Sequence, residues 1–203
     1  MRNRKGIWGA AGALAGILLV AACSAPGASG PDMSRFVTGG MASPPPVSDP
    51  SPAPGEMDHV NAMDRQFVKK ASQANLEEVA LGELAVRKAS TESVKAFGQR
   101  MVTDHGKAQQ ELLNAVHEAN LEPPMELPPE AKATMQRLEK LSGKAFDVEF
   151  MTVMVKGHEK AVKLFTMEAE KGKHPALTGY ATKSLPVLKS HLSQAESILA
   201  KLK

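Results

Sequence analysis

The chain from about residue 64 onward has the hydrophobic periodicity of amphipathic helices. Apolar side chains recur there every three or four positions, which places them on one face of a helix. Asp64 and Ser90 are the expected N-cap residues of the first two helices. The pattern predicts four long helices, at 64–89, 91–119, 144–171 and 175–201, and a shorter one at 130–141.

The lengths of the connections predict how these helices are arranged. Short turns join the first long helix to the second and the third to the fourth, so each of these pairs should be antiparallel. Residues 120–143 include a Pro-rich stretch, Leu121–Pro129, that cannot be helical throughout. This segment is long enough to run back along the bundle. We therefore expect an all-α, ferritin-like four-helix bundle, with a long crossover that carries the short helix. An up-down-up-down bundle with an elaborate loop is the alternative.

The first 22 residues have the pattern of an export signal. Basic residues in the first five positions precede an uncharged apolar stretch that ends in small residues. The sequence Val20-Ala21-Ala22-Cys23 resembles the lipobox of bacterial lipoproteins, in which the cysteine is acylated and becomes the new N-terminus. We expect a cleaved signal peptide over 1–22 and a lipid anchor, such as palmitate, on Cys23. An uncleaved signal anchor is the alternative.

The segment after Cys23 predicts a tether between the membrane and the helices. Residues 24–57 contain eight prolines and no apolar period, which is typical of disordered or polyproline II chain. The expected organisation is thus a tether over 23–57 and a helical domain over 58–203. Residue 24 is Ser rather than Asp, and by resemblance to lipoprotein sorting in Gram-negative bacteria this favours the outer membrane, facing the periplasm.

Charge and composition exclude several classes of protein. Of 25 Lys and Arg residues, Arg2, Arg4 and Lys5 precede Cys23 and no acid does, so 22 basic and 22 acidic side chains remain after cleavage. A nearly neutral chain gives no reason to expect nucleic-acid binding. The single cysteine excludes an internal disulfide. Aromatic residues make up only 4%, which favours helices over a β-sandwich.

One ionisable side chain lies within the apolar stripe near the middle of each long helix. The four are Glu78, His105, His158 and His191. Burying a lone carboxylate or imidazole is costly, so the four should group together or bind something together. An internal repeat supports this placement, because the motif Phe-x3-Met-Val-x2-His that ends at His105 recurs 53 residues later and ends at His158.

These four side chains suggest a metal site. Three imidazoles and a carboxylate are suitable ligands for zinc, copper or iron. Met101 and Met154 precede two of the histidines by four residues on the same faces, and a thioether there would favour copper. Asp104 lies off the stripe and is a candidate partner for a ligand rather than a ligand. The alternative is a hydrogen-bonded polar cluster, with Glu78 paired to a protonated histidine and the methionines filling the core.

The sequence gives little indication of catalysis. A di-iron centre of the ferritin type uses Glu-x-x-His motifs, but the residues three before the helical histidines are Val102, Val155 and Leu188. We also find no Gly-rich phosphate loop, nucleophile elbow or zinc-protease motif. The sequence therefore favours a protein that is not an enzyme.

Several motifs resemble a family of bacterial exported or outer-membrane proteins that is known only as a domain of unknown function. The resemblance spans about 64–200 and implies a ferritin-like four-helix bundle, but it implies no reaction. Position 80 is Ala, where the family leads us to expect a second acidic residue. The motifs are Phe67-Val68-x-Lys70-Ala71, Glu78-x3-Gly82, Val94-Lys95-x-Phe97, Met101-Val102-x-Asp104-His105, Ala145-Phe146-Asp147, His158-Glu159-Lys160-Ala161 and Leu185-Pro186-x-Leu188-x2-His191-Leu192.

The leading hypothesis is a non-enzymatic, membrane-tethered helical module of the cell envelope that binds a metal ion through Glu78, His105, His158 and His191. One rival is a metal-dependent redox enzyme of the periplasm. Another is a structural or interaction module whose inward polar residues only fix the register of the bundle.

Overall fold

The computed structural model describes residues 59–203, so the predicted signal peptide, Cys23 and the predicted tether lie outside the described residues. Within 59–203 the secondary structure consists of helices and contains no strand, which confirms the predicted all-α fold. None of the described helices is both long and apolar enough to span a membrane. The helices are α1 (Ala62–Lys88), α2 (Glu92–Glu118), α3 (Pro129–Glu139), α4 (Gly143–Lys171) and α5 (Pro175–Leu202).

The first two helices begin at residues other than the expected N-caps. Asn61 is the N-cap of α1: its side chain accepts from the backbone N–H of Asp64, and the Asp64 carboxylate accepts from the N–H of Asn61. Asp64 is therefore the third helical residue of a reciprocal capping box. Thr91 rather than Ser90 is the N-cap of α2. The prediction of Ser90 as the N-cap was wrong, because its backbone N–H and its hydroxyl both donate to Asp147 of α4.

Contacts between the helices confirm the predicted crossover. Helices α2 and α5 are antiparallel, since Arg100 bonds to Gln194 while Glu111 pairs with Lys183 further along. Helices α2 and α4 are parallel, since Asp147 near the start of α4 bonds to the residues that precede α2. The segment between α2 and α4, which carries α3, thus returns the chain to the same end of the bundle.

The core consists of two apolar clusters with a polar layer between them. The first cluster contains Phe97 and Phe150, and the second contains Phe67, Phe165 and Tyr180. Each long helix passes from one cluster to the other through a buried polar residue. We call the four such residues the polar layer: Glu78 on α1, His105 on α2, His158 on α4 and His191 on α5.

Candidate metal centre

Three histidines of the polar layer meet at the middle of the bundle. The ring centroids of His105, His158 and His191 lie 5.3 to 5.5 Å apart. One ring nitrogen from each lies within 4.8 Å of those of the other two. All three side chains are buried, with exposed fractions of 4%, 0% and 1% respectively. The sequence predicted the convergence of these three residues from their mid-helix positions.

The helix register places His105 and His158 at the same height. The carboxylate of Asp147 accepts two bonds from Ser90 and one from the N–H of Thr91, which fixes the start of α2 against the start of α4. The two helices run parallel and rise at about 1.5 Å per residue. Because each histidine lies about four turns from its helix start, the two rings reach the same level.

A hydrogen bond fixes one nitrogen of each ring as a donor. Nδ1 of His105 donates to Oδ1 of Asn75 at 3.0 Å, and Nδ1 of His158 donates to the Met154 carbonyl at 2.9 Å. Nε2 of His191 donates to Oδ2 of Asp104 at 2.8 Å. Each partner is an oxygen acceptor, so in neutral rings the proton lies on the bonded nitrogen and the other nitrogen has a lone pair.

The three other nitrogens are buried and have no hydrogen-bond partner among the described residues. They are Nε2 of His105, Nε2 of His158 and Nδ1 of His191. A buried polar atom without a partner costs about 1 to 3 kcal/mol. A metal ion held between the three rings would satisfy such atoms, and ligating histidines usually donate their second nitrogen to an oxygen as these do.

Burial keeps the three rings neutral near pH 7. It lowers the pKa of His105 to about 3, and the nearby rings of His158 and His191 lower it further. Burial also lowers the pKa of His158 to about 4, although its bond to the Met154 carbonyl acts in the opposite direction. The pKa of His191 is lowered by burial against the opposing hydrogen bond to Asp104. Neutral imidazole is the form that binds metals.

The distances suit a single ion after a small inward movement. If all three nitrogens were 4.8 Å apart, the centre of the triangle would lie about 2.8 Å from each of them. A zinc–nitrogen bond measures about 2.0 to 2.1 Å. Each ring nitrogen therefore needs to move by less than about 1 Å.

Glu78 lies outside the group of converging nitrogens. Its Oε1 is 3.6 Å from Nδ1 of His158, which is the nitrogen already bonded to Met154. Burial raises the pKa of Glu78 well above its usual value, and the neighbouring Glu77 adds to the effect. The raised pKa of Glu78 and the lowered pKa of His158 both act against the alternative of a Glu78 carboxylate paired with a protonated histidine.

The three auxiliary residues differ in their relation to the histidines. Asp104 bonds to His191 and also accepts from Nε of Arg100 at 3.1 Å, so it orients a ring instead of facing the other two. Met101 and Met154 are fully buried in the first apolar cluster. Packing there accounts for both methionines, and their role as ligands stays a prediction.

Sequence reasoning missed the polar residues that support His105. Asn75 accepts from His105 and donates to Oε1 of Gln109 and to the Tyr180 hydroxyl. Gln109 in turn donates to Ser72, whose hydroxyl donates to the carbonyl of Pro124 in the crossover. The available signal was spacing: Asn75 lies one turn before Glu78 and Gln109 one turn after His105, on the same helix faces.

Fold and site together define a class: an all-helical bundle with a crossover and a buried cluster of three histidines. The chain belongs to the family named domain of unknown function DUF4142, whose model matches residues 49–198. This match begins within the predicted tether.

Two solved structures share the fold. A DUF305 fragment from Deinococcus radiodurans is 14% identical, covers 70% of this chain and 98% of its own, and has a TM-score of 0.62. A Streptomyces coelicolor protein named "putative secreted protein DUF305" is 16% identical, covers 69% of this chain and 92% of its own, and has a TM-score of 0.59. No curated protein matches the chain significantly.

Proposed function

We propose that this protein binds one transition-metal ion through His105, His158 and His191. One observation carries the proposal: each ring has one nitrogen bonded to an oxygen and the other buried without a hydrogen-bond partner, and one nitrogen of each ring lies within 4.8 Å of those of the other two. A purely structural cluster would be expected to bond the rings to one another, because that removes the cost of unpaired nitrogens.

The donor set favours zinc or copper. Imidazole nitrogens suit zinc and copper as well as iron and nickel. The three rings contribute no negative charge, and Glu78 Oε1 lies nearest the His158 nitrogen that is already bonded to Met154. Iron sites of the ferritin type depend on several carboxylates. We therefore place zinc and copper before iron.

The proposed location is the cell envelope, where lipid on Cys23 anchors the domain to the outer membrane. The basic, apolar and small-residue order of residues 1–22 and the lipobox-like Val20–Cys23 support this. The name of the Streptomyces neighbour agrees with export. A Cys23→Ser variant should lose palmitate labelling and move from the membrane fraction to the soluble fraction; retention in the membrane fraction without label would contradict the anchor.

Metal analysis tests the metal site directly. The full-length protein is equilibrated with zinc(II) or copper(II), and excess ion is removed. Bound metal is then measured by inductively coupled plasma mass spectrometry. We expect one ion per chain. The His105→Ala/His158→Ala double variant should retain almost none, while His117→Ala, which removes an exposed histidine of the same helix α2, should retain the full amount.

Two results would contradict the metal site. One is a wild-type chain that retains neither ion and melts at the same temperature with and without a chelator, which would favour the structural role. The other is a double variant that retains as much metal as the wild type, which would place the ion elsewhere.

A further inference from the structure

A cleft between α2 and α5 reaches two of the three histidines. Its volume is about 240 Å³, and its lining includes His105 and His191 but not His158. The cleft therefore approaches the centre of the three rings from the α2–α5 side. The groove on the α1–α4 side is a separate cavity, lined by Glu78 but by none of the three histidines.

Three protein ligands leave a zinc or copper ion with an open coordination position. Zinc sites with three protein ligands hold a water or an exogenous ligand in the fourth position. Glu78 does not fill that position in this arrangement, because its nearest histidine nitrogen is the one bonded to Met154. Of the two cavities, the α2–α5 cleft is the one whose lining includes two of the ligands.

The charge of the cleft favours an anion. Its lining has three cationic side chains, Arg100, Lys107 and Lys183, against two carboxylates, Asp104 and Glu111. Arg100 pairs with Asp104 and Lys183 pairs with Glu111 at 3.1 Å, so the excess is one cation, Lys107, which lies 3.9 Å from Glu111. A divalent ion held by neutral rings adds its full charge to this excess.

Size and hydrogen bonding limit the ligand to a few atoms. Drug-sized pockets have volumes of about 300 to 1,000 Å³, and this cleft is smaller. Tyr180 is part of its lining, and the Tyr180 hydroxyl accepts a bond from Nδ2 of Asn75, so its own proton can be donated to another acceptor. Burial raises the pKa of Tyr180, which keeps that proton in place.

We propose that the α2–α5 cleft binds a small anion that becomes the exogenous ligand of the metal ion. The inference rests on the proposed metal site and adds the class of ligand and the route by which it arrives. The ion holds one donor atom of the anion, while Arg100, Lys183 and Tyr180 line the space around it.

Azide is a suitable probe because it is small, anionic and gives a charge-transfer absorption when it binds a metal. The full-length protein is loaded with copper(II) or with cobalt(II), which substitutes for zinc and absorbs visible light. Bound metal is measured first, and azide is then titrated. We expect a saturable new absorption with one azide bound per metal ion.

A pair of tryptophan variants tests the cleft. Val187 lines the cleft at 44% exposure, and Met167 lines the α1–α4 groove at 48% exposure. Val187→Trp should raise the Kd of azide at least tenfold by filling the cleft, with one metal ion still bound per chain. Met167→Trp should change the Kd by less than twofold.

A pair of charge reversals tests whether the cationic side chains of the cleft contribute to azide binding. Lys183→Glu should raise the Kd of azide about fivefold, as expected for two charge units acting across solvent-exposed distances. Lys163→Glu, an exposed lysine lining the other groove, is the control and should change it by less than twofold.

The outcomes separate this inference from the proposed function. A chain that binds one metal ion but gives no azide absorption would overturn the exogenous ligand and leave the metal site intact. Azide binding that is equal in Val187→Trp and Met167→Trp would overturn the cleft as the route. A chain that retains no copper or cobalt would overturn the metal site and the anion site with it.

Discussion

At the scale of single residues, the site depends on which nitrogen of each histidine carries the proton. A carbonyl, an amide oxygen and a carboxylate each accept from one ring, so three different groups achieve the same result. Of these acceptors, Asn75 is itself buried at 3% exposure and held by bonds to Gln109 and Tyr180. It is therefore the most informative supporting residue to change.

Asn75→Ala should lower metal affinity about 10- to 100-fold, the usual cost of losing a group that orients a ligand. The reason is that His105 would lose the acceptor that fixes its tautomer. Isothermal titration of the purified protein with zinc(II) measures the change. Asn114→Ala, an exposed change on α2, is the control. Equal affinities in the two variants would show that Asn75 does not orient His105.

A buried carboxyl group away from the site should control part of the pH dependence. Glu168 is 1% exposed, and burial, with Asp64 beside it, raises its pKa to about 8 from 4.5. Between pH 4.5 and about pH 8, the Glu168 carboxyl group is ionised in the unfolded chain and neutral in the folded chain. The contribution of Glu168 to the free energy of unfolding therefore falls as the pH rises through this range.

Glu168→Gln should therefore be more stable than the wild type by on the order of 2 kcal/mol at pH 9 and by much less at pH 5. Urea unfolding at the two pH values measures this. Glu170→Gln, an exposed change two residues later, should show no such pH dependence. A stability difference for Glu168→Gln that is the same at pH 5 and pH 9 would refute the assignment.

At the scale of elements, α1 and α2 approach each other closely at two glycines. A Cβ on Gly82 would lie 2.6 Å from the backbone carbonyl of Gly98, and a Cβ on Gly98 would lie 2.9 Å from that of Gly82. Backbone atoms cannot rotate away as a flexible side chain can. This contact therefore fixes the spacing of α1 and α2 beside the polar layer.

Gly82→Ala should destabilise the fold by about 2 kcal/mol, because overpacking outweighs the helix propensity that alanine gains. Gly106→Ala is the matched control: it lies in α2, but its added Cβ would meet nothing within 4 Å. That control should stabilise the fold by up to about 1 kcal/mol. Thermal unfolding of both variants measures the two changes in stability. If Gly82→Ala stabilised the fold as Gly106→Ala does, the close approach of the two backbones would be contradicted.

At the scale of the whole molecule, the polar layer divides the core into two apolar clusters. The unpartnered ring nitrogens of this layer reduce the stability of the fold, and a bound ion would reverse that cost. Metal binding and folding should therefore be coupled.

Zinc(II) or copper(II) at about 100 times its Kd should stabilise the fold by about 2.7 kcal/mol. For a domain of this size, that corresponds to a Tm rise of about 5 to 10 °C. Differential scanning calorimetry with and without the ion measures it. The rise should be absent in His105→Ala/His158→Ala, and a rise of the same size there would mean that the ion acts elsewhere.

The sequence by itself determined the helices, the crossover and the three histidines that converge. It could do so because apolar periodicity reports which face of a helix is buried, and because connection lengths limit how helices pair. His105, His158 and His191 were identifiable since a polar residue in an apolar stripe at mid-helix must point inwards.

Only the tertiary structure decided which atoms face one another. Glu78 lies in the same kind of stripe as the histidines, yet its carboxyl group lies beside Nδ1 of His158, the nitrogen that is bonded to the Met154 carbonyl. Asn75 and Asp147 act across helix interfaces, 30 and 57 residues from His105 and Ser90 in the chain. Helical periodicity gives the direction of a side chain within its own helix, but hydrogen bonds between helices depend on their relative rotation and register, which only packing fixes.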